Sequence, residues 1–535
     1  MPQQKSEPRE LPQTRRKTGS TGRVAPSRGG KTRPVPQSTA QLSLPFETVE
    51  NPRPQAVGVS AQVDAGQPAP APSEALLSKV TTNTAPSAMM QEVCAHLSLA
   101  FLSVESNRGA PGPDRQTVQL VREHWPQILS SLQQTLLDGT YRPGDIRRVW
   151  IPKATGGQRA LGIPNVVDRI VQEAVRRVLE PLYEPFFHPS SHGFRPGRSC
   201  HTAITQAKSY IEEGFAVVVD IDLEKFFDRI HHQRLLSRLA EQVKDKSVLT
   251  LIHRMLKTKV VMPDGVRVSN DEGVPQGGPL SPLLSNIVLD ELDRELSRRG
   301  HRFVRYADDA NIYVSSIRAG QRVMANVTKF IEQRLKLKVN EAKSAVAHPE
   351  ERHFVGFSLR RNPEDGSAEV LLSQRTRTRI QQKLTELIPR NWGNSPGGCI
   401  HQLNVYLRGW LGFFGIVTAG AERELQYFDA HCRRRLRALK LHDWKTKRTI
   451  ASKLIDLGVK RKTAWRRVYT GKKRIWAMAH DAAVDRGLPN AYFAKSGLYS
   501  LHENWTKRNS QNIKAPEQIN LNWDSERSKT GQATG

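Results

Sequence analysis

Cysteine is scarce in this chain and poorly spaced for chemistry. Only Cys94, Cys200, Cys399 and Cys432 occur, far apart and with no C-x-x-C pair, which argues against a zinc module or a disulfide scaffold and fits a reducing compartment. Long apolar runs are missing too. No stretch is sufficient to span a bilayer, and the polar N-terminus does not read as a signal peptide. The expectation is a cytoplasmic protein with no membrane partner. Negative charge is the third shortage: 81 Lys and Arg face 52 Asp and Glu, a formal charge of +29 with a pI near 10.2. Ordinary solubility does not call for such an excess, which points to a polyanionic partner, nucleic acid.

What is present divides along the chain. Its 535 residues, 38% of them hydrophobic, leave room for two to four domains. Residues 1–88 are rich in Pro, Gln and Ser and cannot build a core, so they are expected to be a disordered, mildly basic arm. From residue 89 helical periodicity sets in, interrupted by the Gly/Pro loop 107–114, and a helix is expected over Trp125–Leu137. Residues 147–164 read as a two-stranded hairpin, with Lys153 on one arm and Arg159 on the other. Two cations flanking a glycine turn suit a triphosphate, and equally a solvated basic hairpin. Val166–Tyr183 has the apolar spacing of an amphipathic helix.

The remaining candidates are acids, aromatics and glycines. Residues 216–222, Ala-Val-Val-Val-Asp-Ile-Asp, form a buried-strand pattern ending in carboxylates, which are costly unless paired or metal-bound. Asp220 and Asp222 share a face under period-two alternation, so the pattern does not choose between them. Phe227 follows five residues after Asp222, where it could wall off one side of a nucleotide's sugar or equally serve as ordinary core. The loop 273–282 carries Gln276 among glycines that let backbone approach a ligand, and a helix is expected over 283–296. Residues 303–314 read as two strands joined at Asp308-Asp309, a hairpin whose adjacent carboxylates repel unless a cation lies between them. A pair of Mg²⁺ ions would meet that need and leave positions open for phosphates. A helix is expected over 322–335. The 337–344 segment follows it with Lys343, and then come basic helices, dense in Arg and Lys over 432–462.

These blocks in this order resemble the reverse transcriptases encoded by bacterial group II introns, which also act as maturases. The resemblance covers residues 103–501, about three quarters of the chain. It implies an α+β fold of the right-hand polymerase type, with fingers, a palm built on an antiparallel sheet, and an α-helical thumb or maturase domain. The implied boundaries are 89–145 for an N-terminal extension, 146–360 for fingers and palm, 372–475 for the thumb, 476–503 for an end segment and 504–535 for a polar, disordered tail. Asp222, rather than Asp220, matches the metal-binding acid, and with Asp308 and Asp309 it would hold two Mg²⁺, for which Mn²⁺ can substitute. Lys153 and Arg159 match the triphosphate-binding pair. Phe227 matches the sugar-selecting aromatic, Gln276 the loop beneath the nucleotide, and Lys343 the residue proposed to protonate pyrophosphate. The implied partners are group II intron RNA, an RNA template, a DNA primer or target and dNTPs, in the bacterial cytoplasm. No zinc-binding HNH endonuclease is expected, since the Cys pairs are lacking. A host-adapted reverse transcriptase, defence-related or CRISPR-associated, is the competing reading within the class. A splicing factor with a silent palm is the non-enzymatic alternative, which the presence of all three acids with Lys153, Arg159 and Lys343 opposes. An RNA-copying RNA polymerase is opposed by Phe227.

Overall fold

The computed structural model describes residues 86–152, 157–389, 396–470 and 474–514. Most of the arm expected over 1–88 and the tail beyond 514 lie outside these, as does Lys153. Among the described residues no helix is long and apolar enough to cross a membrane. All four cysteines are buried thiols.

The helix Pro86–Ser106 packs along Val166–Tyr183, burying Val93, Leu97 and Ala100 against Ile170 and Ala174. Between these helices in the chain come β1 (Ile146–Pro152) and β2 (Gln158–Ile163), antiparallel, with Ile151 opposite Arg159. β3 (Val217–Ile221) is buried at every position. The short β4 (Val260–Val261) and β5 (Arg267–Val268) extend the first sheet to the order β2-β1-β4-β5. Then β6 (Arg302–Tyr306), β7 (Asp309–Val314) and β8 (Ala345–Ala347) assemble around β3 in the order β6-β7-β3-β8.

The continuous apolar run of β3 follows from its position between two cores. Val217, Val219 and Ile221 face one cluster, with the 166–183 and 281–298 helices, while Val218 faces a second. The second cluster takes in the helix Cys200–Glu212, the hairpin of β9 (Phe357–Arg361) and β10 (Ala368–Leu372), and the helices Gln374–Leu387, Pro396–Phe414 and Ala421–Asp443. A strand covered on both faces has no polar side to alternate with. Its alternation returns only at the acid end.

Two expectations need correction. The helix expected over 322–335 begins at Ile317, where the Ser316 hydroxyl accepts from the Ala319 N–H, and its last turn widens to a π turn over Ile331–Leu335. The tail expected to be disordered from 504 is helical over Leu501–Lys514. That helix is capped from a distance: the Asp429 carboxylate accepts from the N–H groups of Leu501 and His502 at 2.9 and 3.1 Å.

Candidate active site

The register of β3 and β7 decides which acids meet. Asp220 lies opposite Asn311 and Ile221 opposite Ala310, so the next step outward brings Asp222 to Asp309. Asp308 sits in the turn between Tyr306 and Asp309, which pair across β6 and β7. Three carboxylates from two distant segments thus gather at one end of the sheet. Burial, then the charges of Asp220, Asp308 and Asp222, hold Asp309 well above the usual carboxylate range. Burial, with Asp222 adding to it, raises Asp308 as well. Carboxylates crowded in this way favour a hard cation between them.

Asp220 and Asp222, equivalent by alternation, have different surroundings. Asp220 is buried, and its Oδ2 takes both Nε and Nη2 of Arg352, at 2.8 and 2.6 Å. Asp222 lies past the strand end, framed by the 340–344 turn. Its N–H donates to Ser344 Oγ at 3.0 Å, and Lys343 Nζ lies 2.8 Å from its Oδ2. One acid is committed to an internal guanidinium. The other holds a flexible, exposed ammonium that can leave. As the side chains stand, no group of three or more His, Cys, Asp or Glu among the described residues is arranged to hold a metal ion, and Lys343 supplies the positive charge at Asp222. The donor set is all oxygen, which suits Mg²⁺ or Mn²⁺ rather than zinc.

A cavity of about 370 Å³, lined by Arg159, Phe194, Phe227, Gln276 and residues 277–279 among others, adjoins the acids through Arg159, whose charge acts on Asp308. The Arg159 guanidinium donates from Nε to Gln276 Oε1 at 2.9 Å, and the Gly162 N–H donates to the Gln276 carbonyl at 2.7 Å. The glycines are required here: Gly277 has φ +130°, and a Cβ on it would fall 2.5 Å from the Gly162 carbonyl oxygen. Phe227 is 8% exposed and stands edge-on to Phe226. Its carbonyl accepts from the Val274 N–H at 2.7 Å, tying the aromatic to the glycine loop. The structure therefore brings Arg159, Phe227 and Gln276 to one cavity and gathers Asp222, Asp308, Asp309 and Lys343 at the sheet end.

Sequence reasoning missed two residues here. Phe194 is 47% exposed with φ +60° and lines the cavity; a Gly-Phe-Arg-Pro loop gives no hint that the aromatic would be held outward. Arg352, which occupies Asp220, lies outside every recognised block. An apolar strand ending in two acids carries a signal for such a partner, though not for its position.

The reverse transcriptase (RNA-dependent DNA polymerase) family matches residues 151–359, and the group II intron maturase-specific domain matches residues 377–455. Protein YkfC of Escherichia coli K12 is 32% identical over 295 residues, covering 48% of this chain and 77% of that protein. The group II intron-encoded protein LtrA of Lactococcus lactis subsp. cremoris is 29% identical over 330 residues, covering 49% of this chain and 54% of its own. The putative COX1/OXI3 intron 2 protein of Saccharomyces cerevisiae is 29% identical over 343 residues, covering 53% and 40%. The chain thus spans about half the length of these two intron proteins.

Proposed function

Because this chain belongs to the reverse transcriptases encoded by group II introns, we propose that it extends a DNA primer on an RNA template with dNTPs and assists the splicing and mobility of its own intron RNA. RNA and DNA are the class of partner and a divalent metal the class of cofactor. The observation that carries the reading is the meeting of Asp222 with Asp308 and Asp309 beside a cavity lined by Arg159, Phe227 and Gln276.

Asp222, Asp308 and Asp309 would hold two Mg²⁺. Bound there, the metal would supply the Lewis acidity that lowers the pKa of the primer 3′-hydroxyl and offsets the charge on the leaving pyrophosphate. Lys343 releases Asp222 when the site is loaded, and its ammonium is then free to protonate the departing pyrophosphate. Arg159, together with Lys153, which lies outside the described residues, binds the triphosphate. Phe227 stands against the sugar and excludes a 2′-hydroxyl. Gln276, already bonded to Arg159, holds that cation in place beneath the nucleotide. The helices over 374–470 would grip structured intron RNA through phosphates and shape.

Primer extension on an RNA template with dNTPs and Mg²⁺, run beside Asp308→Ala, tests the chemistry. The variant is expected to lose extension by at least about 10³-fold, a loss of several kcal/mol of transition-state stabilisation, while retaining RNA binding. Full extension by Asp308→Ala would overturn the assignment.

A further inference from the structure

Arg305, on β6, is 1% exposed, and its partner Asp293, on the helix Ser281–Arg298, is fully buried. All five guanidinium N–H groups are used. Nε and Nη2 donate to the two Asp293 oxygens at 2.7 and 2.5 Å, and Nη2 also donates to Ser191 Oγ at 2.7 Å. Nη1 donates to Asn286 Oδ1 at 3.0 Å and to the Ala307 carbonyl at 2.8 Å. A well-packed apolar pair would serve a core equally well or better, so burying this ion pair is not explained by stability. What it provides that an apolar pair does not is a fixed donor aimed at Ala307.

Ala307 directly precedes Asp308 and has φ +58°. It is the first of two residues between the paired Tyr306 and Asp309. Hairpins usually give a left-handed position of this kind to Gly or Asn, since an L-residue with a Cβ is strained there. The surroundings impose it. The Arg305 N–H donates to the Ser190 carbonyl and its carbonyl accepts from the His192 N–H, both at 2.8 Å. Asn286 Nδ2 donates to the Gly193 carbonyl at 2.9 Å, and a Cβ on Gly193 would lie 2.2 Å from the Ala307 nitrogen. The turn that bears Asp308 is clamped between a buried guanidinium and a glycine.

We propose that Arg305 is a positioning residue for catalysis: its forked contacts with Asp293, Asn286, Ser191 and the Ala307 carbonyl hold the turn left-handed, so that Asp308 and Asp309 reach the position opposite Asp222. This rests on the reading of those three acids given above. Lysine keeps the charge but lacks the fork, and cannot serve Asp293 and Ala307 together.

The test uses the full-length protein and Mn²⁺ alone as probe, followed by electron paramagnetic resonance, with Asp222→Ala as the blank. Arg305→Lys should weaken Mn²⁺ binding about tenfold. Single-nucleotide addition should slow by a similar factor, while the dNTP concentration for half-maximal rate changes less than twofold. Adding Ala307→Gly, which removes the Cβ strain, should restore a substantial part of both. Where Arg305→Lys does not fold, Ser191→Ala leaves the ion pair whole and should still weaken Mn²⁺ binding about threefold. Wild-type Mn²⁺ binding in a folded Arg305→Lys or Ser191→Ala variant would overturn the inference, as would a double variant no better than Arg305→Lys. A parent whose Mn²⁺ binding is unaffected by Asp222→Ala would overturn the reading of the acids themselves.

Discussion

In the role proposed above, Phe227 is a single side chain that would decide between two substrates. It is nearly buried, backed by Phe226, and anchored through its carbonyl to the loop that carries Gln276. A ring held this firmly cannot move aside for a 2′-hydroxyl, and discrimination by an immovable wall is a difference of affinities rather than a gain for the preferred ligand. Phe227→Val should therefore reduce the preference for dNTPs over rNTPs by on the order of 10- to 100-fold, mainly by improving rNTP use. The ratio of kcat/KM values for the two substrates measures it, and an unchanged ratio would remove Phe227 from this role. The candidate residues were legible to different depths. Asp308 and Asp309 were readable because adjacent acids between two β-patterned segments are costly without a cation. Asp222 and Asp220 were not separable by pattern, because what distinguishes them is a guanidinium 132 residues away from Asp220. Arg352 lies beyond β8, and nothing local marks its destination.

At the scale of elements, the same divide between local and distant causes recurs. The helix Val166–Tyr183 was legible because its apolar spacing is sustained over its whole length. The helix Ile317–Phe330 begins earlier than its pattern suggests. Gly320 resembles an interruption, but it lets the helix lie on the sheet, since a Cβ there would fall 2.4 Å from Val346. The helix Leu501–Lys514 has a polar composition, and its cap comes from Asp429, which no local reading could supply. Elements joined by buried acids should also respond to pH. Asp168, in the first turn of Val166–Tyr183, accepts from the Tyr141 hydroxyl at 2.5 Å and from the Gly144 N–H. Burial pushes its carboxyl up to about 6, against those hydrogen bonds. Unfolded, it titrates near the ordinary carboxylate value, so between about pH 4 and pH 6 the native state holds a proton the unfolded state has lost. This contribution to stability is complete below that window and is lost as pH rises through 6. Asp168→Asn cannot ionise. The stability of the parent relative to this variant should fall by about 2 kcal/mol between pH 4.5 and pH 7.5 in denaturant titrations. A flat difference would mean the carboxyl does not titrate there.

For the molecule as a whole, the charge of +29 raises the question of whether it is spread or placed. Helices Lys447–Asp456 and Arg461–Thr470 carry Lys447, Arg448, Lys453, Arg461, Lys462, Arg466 and Arg467, all exposed. Their cores are small and apolar, with Ile450, Ala451, Leu454, Ala464 and Val468 buried, so the cations hold nothing inside. Two are paired, Lys453 with Asp456 at 3.8 Å and Arg467 with Asp481 at 3.9 Å, and the others have no ion pair among the described residues. Like charges left in one place repel each other and disfavour the fold, so they are kept where a polyanion neutralises them. If RNA phosphates do so, binding here releases counterions, and the logarithm of affinity should fall linearly with the logarithm of salt. Replacing Lys460, Arg461 and Lys462 with Gln removes three charges from one exposed turn without touching the core. The slope should become shallower by roughly 2 to 3, with affinity for structured RNA at 0.1 M salt down by about 10- to 100-fold. Single-nucleotide addition on a saturating short primer-template should stay close to that of the parent, because the palm residues lie on other elements. A parent-like slope would place the RNA elsewhere on the basic surface. A parallel loss of nucleotide addition would mean that these helices also hold the primer-template duplex, joining the two activities in one grip.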